Sequence, residues 1–542
     1  MGVCTPNRRS IDVRSWLVER LRRPPSAGLV CGAVSIAAGL LLFTRYSIDS
    51  TLTRDQAVYA YGGQQFAHGV PPYASIFDPK GPLSTIIAGL AASVARVVGV
   101  ADLRMIRLVF FCCAVLTVLA VYALVAQLWR SAIAGVAAAV VFASFKGFAQ
   151  TALGGPDAKT PGILFATVAM WLAVRRQWNW SAFVGSLALL VWQPLGIYSI
   201  VPVVGAALFS QQRRWRACAL AAGAAAAPIA ATVIYFAAEG ALGKLVESGV
   251  IFPVSGIRRA KQTVLQRWHL IARVTLRYYG TAGALLLWAG LLLLLGLAIW
   301  TAVRARPDRL AVLQQPLIYV VLVTGLVEAA FASIDFQSYP DLYPLLPYGA
   351  IGLGGAVALL LRATARQTAM AVALVATASL FVFSVQSYTA TAAATKHHRL
   401  AAQQAAARAL ARIVPAGTTL CALGDPVPLV LTDRRNPDRY IYLNSGVDRW
   451  KIEHTAGGFA GWTSDLRQAR TSVIVLEHWH DAVKQRMAAW LKDAGGFAPG
   501  YLGRWRVYLG PAAQALARAA GIRITARPTR WPQLVRTSAT LR

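Results

Sequence analysis

Long apolar runs alternate with short polar segments along most of this chain. Runs of about 18 or more apolar residues recur between residues 27 and 388, and a run of that length can cross the hydrocarbon core of a bilayer as a helix. The runs are rich in Ala, Leu and Val and lack the period-two alternation of a membrane barrel strand. Because backbone groups in lipid must hydrogen-bond within the protein, the pattern predicts a polytopic α-helical membrane protein.

Basic residues between the runs predict the orientation of the helices. Cytoplasmic loops are enriched in Lys and Arg, so the basic segment 1–26 is expected in the cytoplasm. The later Arg-containing loops fall on that side only if 81–99 lies along the outer interface without crossing. The C-terminus is then outside. The outer loop 237–280 is also basic, and it either contacts anionic lipid phosphate or forms a solvated amphipathic helix. The eleven predicted spans are 27–45, 106–128, 132–150, 160–174, 181–195, 197–211, 217–236, 281–303, 311–332, 344–361 and 368–388.

Beyond residue 388 the apolar segments become shorter and change period. Strands are predicted at 418–423, 471–479 and 504–510, with a further strand and a short helix in 425–443, and helices at 392–413 and 481–495. Alternating strands and helices predict a small α/β domain. The predicted organisation is a basic N-terminus (1–26), a membrane module (27–388) with a first outer loop at 46–105, an extracytoplasmic α/β domain (389–510) and a basic tail (511–542).

Composition agrees with a membrane protein and argues against other classes. The chain is 56% hydrophobic and 14% charged, with a mean hydropathy of +0.51. Its net charge of +32 does not predict nucleic acid as a partner, because much of the basic charge lies in short loops where it sets topology. The six cysteines lack metal-ligand spacing, so neither a disulfide framework nor a zinc site is predicted.

The densest group of polar and aromatic residues follows the first apolar run, in segment 54–83. Ionisable residues at a membrane boundary are costly unless paired or solvated, which makes them functional candidates. Asp55 begins a helix-like segment, so it is either a general base or an N-terminal helix cap, and one carboxylate can serve as both. Lys80 either binds a phosphate as a point charge or extends toward the interface. The segment contains Asp55, Tyr59, Tyr61, His68, Tyr73, Asp78 and Lys80.

Two further outer loops and one helix end carry candidate groups. In 154–161, Asp157 either pairs with Lys159 or positions substrate. Arg107, at the outer start of the second span, either binds an anion or extends to the interface. The loop 333–347 reads as a substrate site or as an aromatic interfacial belt, and it contains Asp335, Gln337, Tyr339, Asp341 and Tyr343. His397 and His398 have no partner ligands nearby in the sequence.

The order of these motifs resembles that of the membrane-embedded GT-C glycosyltransferases. A span is followed by an acidic residue, a helix ending G-x-x-P-Y, the sequence D-P-K-G-P-L and a segment ending R-L. The resemblance is greatest to the protein O-mannosyltransferase and lipid A aminoarabinose transferase group, glycosyltransferase family 39-like. The segment TDRRNPDRYIYL also resembles a strand of the C-terminal domain of bacterial relatives. The motifs cover mainly 54–107 and 425–442.

The resemblance implies a role for each matching residue. Asp55 matches the acid that acts as base, Lys80 the lysine that contacts lipid phosphate, and Arg107 the arginine that opens the second span. Asp157 matches the aspartate between spans three and four, without the Arg that usually precedes it. Gln56 stands where many members have a second acid. Other residues expected to contact substrate are Tyr59, Tyr73, Gln337 and Tyr339.

The function implied is transfer of a sugar from a polyprenyl-phosphate donor to an extracytoplasmic acceptor, which is a cell-wall glycan, a lipid or a protein. Inverting transfer needs a base and a cation near the departing phosphate, and the scheme requires no metal or nucleotide, although some GT-C enzymes bind a divalent ion. The expected setting is a bacterial plasma membrane. A lipid or glycan transporter is the alternative, but it favours internal repeats and mid-span charges, of which Glu328 is the candidate. A scaffold for wall assembly leaves the outer acids unexplained.

Overall fold

The computed structural model describes residues 27–210, 213–257, 263–304, 312–363, 365–394, 400–477, 482–493 and 496–529. The predicted cytoplasmic segment 1–26, His397, His398 and the end of the predicted tail lie outside the described residues. Within them, residues 27–394 form a helical bundle and residues 400–529 form a mixed α/β domain.

Helices account for nearly all of the bundle, and their bounds follow the apolar runs. The α-helices are α1 (Ala27–Phe43), α2 (Arg54–Ala67), α3 (Leu83–Val98), α4 (Asp102–Trp129), α5 (Ala132–Ala143), α6 (Lys146–Gly154), α7 (Lys159–Val174), α8 (Trp178–Val191), α9 (Ile197–Phe209), α10 (Arg214–Ala238), α11 (Leu242–Val246), α12 (Val264–Arg304), α13 (Val323–Ile334), α14 (Leu346–Ala363) and α15 (Arg366–Ala394). Short 3-10 segments occupy Gln193–Gly196 and Tyr339–Leu345, and π-helical segments occupy Glu247–Gly256 and Leu317–Leu322.

The described part of the bundle contains six helices long and apolar enough to cross a membrane, or seven if the bent pair α5–α6 is one span. These seven coincide with seven of the predicted spans. The other four predicted spans coincide with the shorter apolar helices α1, α7, α8 and the segment Gln193–Phe209. The chain is thus a polytopic helical membrane protein, and the number of eleven spans stays a prediction.

Helix α3 has the character predicted for the interfacial segment 81–99. Its length of 16 residues corresponds to about 24 Å, less than the roughly 30 Å of a bilayer core. Small residues on one face pack against α2 and α4, while Leu90, Val94 and Val97 on the other face are exposed. This amphipathic surface suits a helix lying along the membrane.

Glycines allow α12 and α14 to pack closely at the centre of the bundle. A Cβ atom at Gly290 would lie 2.1 Å from the Gly349 carbonyl oxygen, and one at Gly352 would lie 1.9 Å from that of Gly290. Small residues at such crossings let two backbones approach in a membrane. Helices α10 and α15, by contrast, are largely exposed around the outside of the bundle.

The C-terminal domain is built on one four-stranded sheet with the order β1-β2-β4-β3. Strand β1 pairs parallel with β2, and the other two pairs are antiparallel. The strands are β1 (Thr419–Leu423), β2 (Thr471–Leu476), β3 (Ala498–Leu502) and β4 (Trp505–Leu509). The helices are α16 (Leu400–Ile413), α17 (Val427–Thr432), α18 (Val447–Glu453), α19 (Gly458–Gln468), α20 (Ala482–Asp493) and α21 (Pro511–Ala519).

Three of the four strands were predicted from sequence, and one prediction was wrong. The apolar residues 440–443 are not in a strand, because their segment lies against the first outer loop: the Phe77 N–H donates to the Arg439 carbonyl. Strand β3 was missed because Pro499 and Gly500 are uncommon inside strands. The strand forms nevertheless because it lies at the edge of the sheet, where proline is tolerated. The start of the predicted tail belongs to the domain, since α21 packs on α16.

The domain is docked on the first outer loop of the bundle. The Gln403 amide donates to the Leu52 carbonyl at 3.0 Å and accepts from the Leu52 N–H at 2.8 Å. The Asn436 N–H donates to the Tyr61 hydroxyl at 2.9 Å. These buried hydrogen bonds hold the two parts together.

Candidate functional site

A cavity of about 550 Å³ lies between the helical bundle and the C-terminal domain. The first outer loop, the loops that carry Asp157 and Gln337, and the C-terminal domain meet there, and the sequence predicts all of them on the same side of the membrane. Five of the eight predicted site residues line it, and they are Asp55, Tyr59, Lys80, Asp157 and Gln337. Asp78, Lys159, Asp341 and Tyr442 add further polar groups to the wall.

Asp55 lies in the first turn of α2 and faces the cavity. It is not the helix cap: Thr53 accepts from the Gln56 N–H, and the Gln56 side chain accepts in return from the Thr53 N–H at 3.0 Å. The capping alternative for Asp55 is therefore wrong, and the place of a second acid is taken by a residue that completes a capping box. The Asp55 side chain is 65% exposed, and its Oδ1 accepts from the Tyr442 hydroxyl at 2.5 Å.

Lys80 is held in the cavity wall by the turn that precedes it. The Asp78 carboxylate accepts from the Lys80 N–H at 3.2 Å, and the Tyr73 hydroxyl donates to the Lys80 carbonyl at 2.6 Å. The Lys80 ammonium donates to the Tyr59 hydroxyl at 2.9 Å. These contacts fix the backbone and the charged end of the side chain, so that the cation is presented to the cavity.

Electrostatics keep Lys80 charged. Burial lowers the pKa of Lys80, but the neighbouring carboxylates of Asp78, Asp157 and Asp55 together outweigh burial and raise that pKa above its ordinary value. Burial raises the pKa of Asp78, and Lys80 limits the rise. Burial, reinforced by Asp78, raises the pKa of Tyr59 well above its ordinary range. Tyr59 therefore stays a neutral hydroxyl between the anion and the cation.

Asp157 lies before α7, and its carboxylate accepts from the Lys159 N–H at 2.9 Å. Of the two alternatives for Asp157, the structure does not show the ion pair with Lys159, because the Lys159 ammonium pairs with Asp341 across the cavity and lies 4.2 Å from the centre of the Trp192 ring. Burial raises the pKa of Asp157, and the positive charges of Lys159 and Lys80 oppose the rise. Asp157 is thus left with acceptor capacity facing the cavity.

Three predicted site residues lie behind the wall of the cavity. Arg107 is 1% exposed and donates to the carbonyls of Gly155, at 3.1 Å, and Ile48, so it holds the loop that carries Asp157. Tyr73 is buried against the Lys80 carbonyl. Tyr339 stacks on Tyr278 at a ring distance of 4.3 Å. These positions support structural roles and give no support to the predicted substrate contacts.

Sequence reasoning missed several residues of the site. Tyr442 lies 387 residues from Asp55 along the chain, and no local pattern could pair them. Gln193 donates to the carbonyls of Pro79 and Gly249, at 2.8 and 3.0 Å, and so joins three loops. Asp78, by contrast, stands two residues before Lys80 and was readable as part of D-P-K.

Among the described residues, no three His, Cys, Asp or Glu side chains come together as a set of metal ligands. The side chains that line the cavity include carboxylates, the ammonium groups of Lys80 and Lys159, amides and phenols. A carboxylate exposed at one wall and a fixed cation at another suit a reaction in which one substrate loses a proton and the other releases an anion.

Comparison with known proteins gives a likeness to solved structures. No protein-family model matches the chain, and no curated protein matches it. The crystal structure of ArnT from Cupriavidus metallidurans in the apo state superposes with a TM-score of 0.60, covering 93% of this chain and 99% of that chain at 14% identity. At this identity the likeness shows the fold alone. This shared fold agrees over nearly the whole chain with the fold that the motif resemblance implies.

Proposed function

We propose that the protein is a glycosyltransferase that moves a sugar from a polyprenyl-phosphate donor to an extracytoplasmic acceptor. The observation that carries the proposal is the meeting of Asp55 and Lys80 in one cavity, in a fold shared with ArnT. The acceptor class is a cell-wall glycan, a lipid or a protein, and the setting is a bacterial plasma membrane with the N-terminus in the cytoplasm.

Asp55 is the proposed base. An acceptor hydroxyl attacks the anomeric carbon, the bond from that carbon to the donor phosphate oxygen breaks, and the hydroxyl proton passes to the carboxylate. A positioned base of this kind contributes roughly 10²- to 10⁴-fold to a rate. Its exposed side chain and the hydrogen bond from Tyr442 suit this role, because one oxygen is oriented while the other remains open to the acceptor.

Lys80 is the proposed partner of the departing polyprenyl phosphate. Its pKa, raised by the surrounding carboxylates, keeps it cationic, and a fixed cation stabilises the charge that develops on a leaving phosphate. Asp78 and Tyr59 orient this cation. Asp157 and Gln337, on the opposite loops of the cavity, are proposed to bind hydroxyl groups of the sugar or the acceptor.

The assignment of the outer side rests on how the loops meet. If 81–99 crossed the membrane, the loops carrying Asp55 and Asp157 would lie on opposite sides. Both line the same cavity together with Gln337 and the C-terminal domain, which supports the orientation read from the basic loops. The cavity and the domain are therefore proposed to face the extracytoplasmic space.

The test is transfer of labelled sugar from a polyprenyl-phosphate donor in membranes that contain Asp55→Asn. The variant keeps an oxygen that can accept from Tyr442, so we expect normal folding and a loss of transfer of at least about 100-fold. Asp493→Asn, an exposed carboxylate on α20, is the matched control and should transfer normally. Transfer by Asp55→Asn at the rate of the unsubstituted protein would show that Asp55 is not the base.

A further inference from the structure

A second, smaller cavity of about 220 Å³ lies elsewhere in the bundle. It is formed by the start of α6, the middle of α12 and the C-terminal half of α15. It shares no lining residue with the first cavity. Tyr279 stands between the two, with its ring over Gly147 and its hydroxyl donating to the Tyr339 carbonyl at 3.1 Å. The proposed function uses none of the residues that line it.

A break in α12 places a helix start in the wall of this cavity. Gly280 has φ 73° and ψ 171°, a conformation in the left-handed half of backbone space that favours glycine. The second part of α12 therefore begins at Thr281. The first N–H groups of a helix lack partners within it, and the helix dipole makes this end positive, so Thr281, Ala282 and Gly283 present an electropositive surface to the cavity.

Two side chains in the wall also lack partners. Lys146, at the bend between α5 and α6, forms no hydrogen bond or ion pair with any residue that the structure describes. Ser384 on α15 is 2% exposed, and its hydroxyl likewise has no hydrogen-bond partner in the described part of the chain. A buried hydroxyl is normally satisfied. The lining includes no Asp or Glu among the described residues. The Lys146 ammonium, the start of the second part of α12 and the Ser384 hydroxyl therefore give this cavity a surface that suits an anion.

Apolar side chains lie beside the polar groups of this cavity. Leu286, Leu380 and Phe383 are among its lining residues and are called its apolar rim below, and Phe383 is 51% exposed on α15, an outer helix of the bundle. An apolar rim beside an electropositive pocket matches a molecule with an anionic head and an acyl chain. A basic pocket between membrane helices is a common binding site for lipid headgroups.

We propose that this cavity binds the phosphate headgroup of a membrane lipid, with Lys146, Ser384 and the start of the second part of α12 as its partners. The lipid's acyl chains then lie along the rim and the exposed face of α15. The proposal is independent of the proposed transfer reaction, since the site is separate from Asp55 and Lys80 and needs no turnover.

The experiment measures binding of dioctanoyl phosphatidylglycerol to the purified full-length protein in detergent, by native mass spectrometry and by the lipid-dependent rise in Tm. We expect Lys146→Gln to weaken binding about tenfold, as for loss of a charge-assisted hydrogen bond. Lys492→Gln, an exposed lysine on α20 in the C-terminal domain, is the matched control and should bind like the unsubstituted protein. Dioctanoylglycerol, which has no phosphate, should bind without dependence on Lys146.

Three results would overturn the proposal. Equal affinity of Lys146→Gln and the unsubstituted protein would remove the cation from the site. Lys146-dependent binding of dioctanoylglycerol would show that phosphate is not recognised. Inorganic phosphate that displaces the lipid completely at millimolar concentration would make the site one for free phosphate. Should Lys146→Gln fail to fold, Ser384→Ala carries the test, with binding expected to weaken about fivefold and unchanged binding counting against the proposal.

Discussion

Replacing Lys80 tests whether this lysine binds the donor phosphate or only neutralises the carboxylates around it. The Lys80→Gln variant removes the cation that lies among Asp78, Asp157 and Asp55 and keeps a side chain that can still donate to the Tyr59 hydroxyl. Two consequences follow. A bound polyprenyl phosphate loses a charge-assisted hydrogen bond, and the buried Asp78 loses its largest favourable charge.

The two consequences differ in magnitude, and a second substitution can reverse only the loss of stability. A hydrogen bond to a charged group contributes about 1.5–3 kcal/mol, which corresponds to a rise in Kd for the donor of roughly 10- to 150-fold. The loss of Lys80 also raises the pKa of Asp78 further and lowers stability. Substituting Asp78 by Asn removes that second cost, because the amide oxygen still accepts from the Lys80 N–H, or from that of its replacement.

The assay is titration of the purified protein with undecaprenyl phosphate, together with the Tm of each variant. We expect Lys80→Gln to lower both affinity and Tm, and the Asp78→Asn, Lys80→Gln double variant to recover Tm while its Kd stays 10-fold or more above that of the unsubstituted protein. Lys492→Gln, an exposed lysine on α20, is the control for charge alone. Recovery of full affinity in the double variant would refute the phosphate contact and leave Lys80 as a counter-ion of Asp78.

Two further predictions concern the C-terminal domain. Tyr442→Phe removes the hydroxyl that donates to Asp55 at 2.5 Å. It should lower the rate of transfer about 10- to 100-fold without changing the Kd of the polyprenyl-phosphate sugar. An equal loss of affinity for that sugar lipid in a binding titration would contradict an orienting role. Burial raises the pKa of Asp425 to about 7 from an ordinary 3.8, so between these values the folded state keeps a proton that the unfolded state releases and stability falls as pH rises. Asp425→Asn retains an acceptor for the Val427 N–H. Its free energy of unfolding at about pH 8 should therefore be higher, by at most about 4 kcal/mol at 1.36 kcal/mol for each pKa unit, and its Tm should be higher with it. At about pH 4 the two proteins should have a similar Tm, and a constant difference across the pH range would exclude titration of Asp425 as the cause.

Hydrophobic pattern predicted the bundle well because lipid imposes a simple rule on sequence. Every long apolar run had to become a helix, and charge placement indicated that 81–99 differs from the others. The physical reason is visible in α3, where small residues pack inward and Leu90 and Val97 remain exposed. Pattern could not predict the break at Gly280, since one glycine inside an apolar run is common and its φ depends on tertiary packing.

Individual site residues were predictable only where a local motif carried them. Asp55 and Lys80 stand in short, recognisable sequences, and both face the cavity. Arg107 also stands in a motif, but the same guanidinium that can bind an anion satisfies two backbone carbonyls here. Sequence alone cannot rank these uses, because both place an arginine at the outer end of a span.

The contacts of the segment 436–443 show how the C-terminal domain completes the site. Sequence pattern favoured a strand there, yet its residues are used against the first outer loop and the segment after α11. Arg439 pairs with Glu247. Burial, the largest influence, raises the pKa of Glu247, but hydrogen bonds from Trp450, Arg439 and Tyr440 outweigh it and hold that pKa below its ordinary value. An ionised Glu247 thus fastens the segment to the bundle at physiological pH.

The same segment carries Tyr442 to Asp55, so the proposed base and its orienting hydroxyl come from the two halves of the molecule. The Phe77 N–H, which donates to the Arg439 carbonyl at 2.8 Å, fixes the chain just before Asp78 and Lys80. The docked segment therefore orients the proposed base directly and fixes the chain just before the turn that holds the cation. A membrane bundle without its C-terminal domain would keep the contacts of Lys80 with Asp78, Tyr73 and Tyr59 but would lose the hydrogen bond from Tyr442 to Asp55.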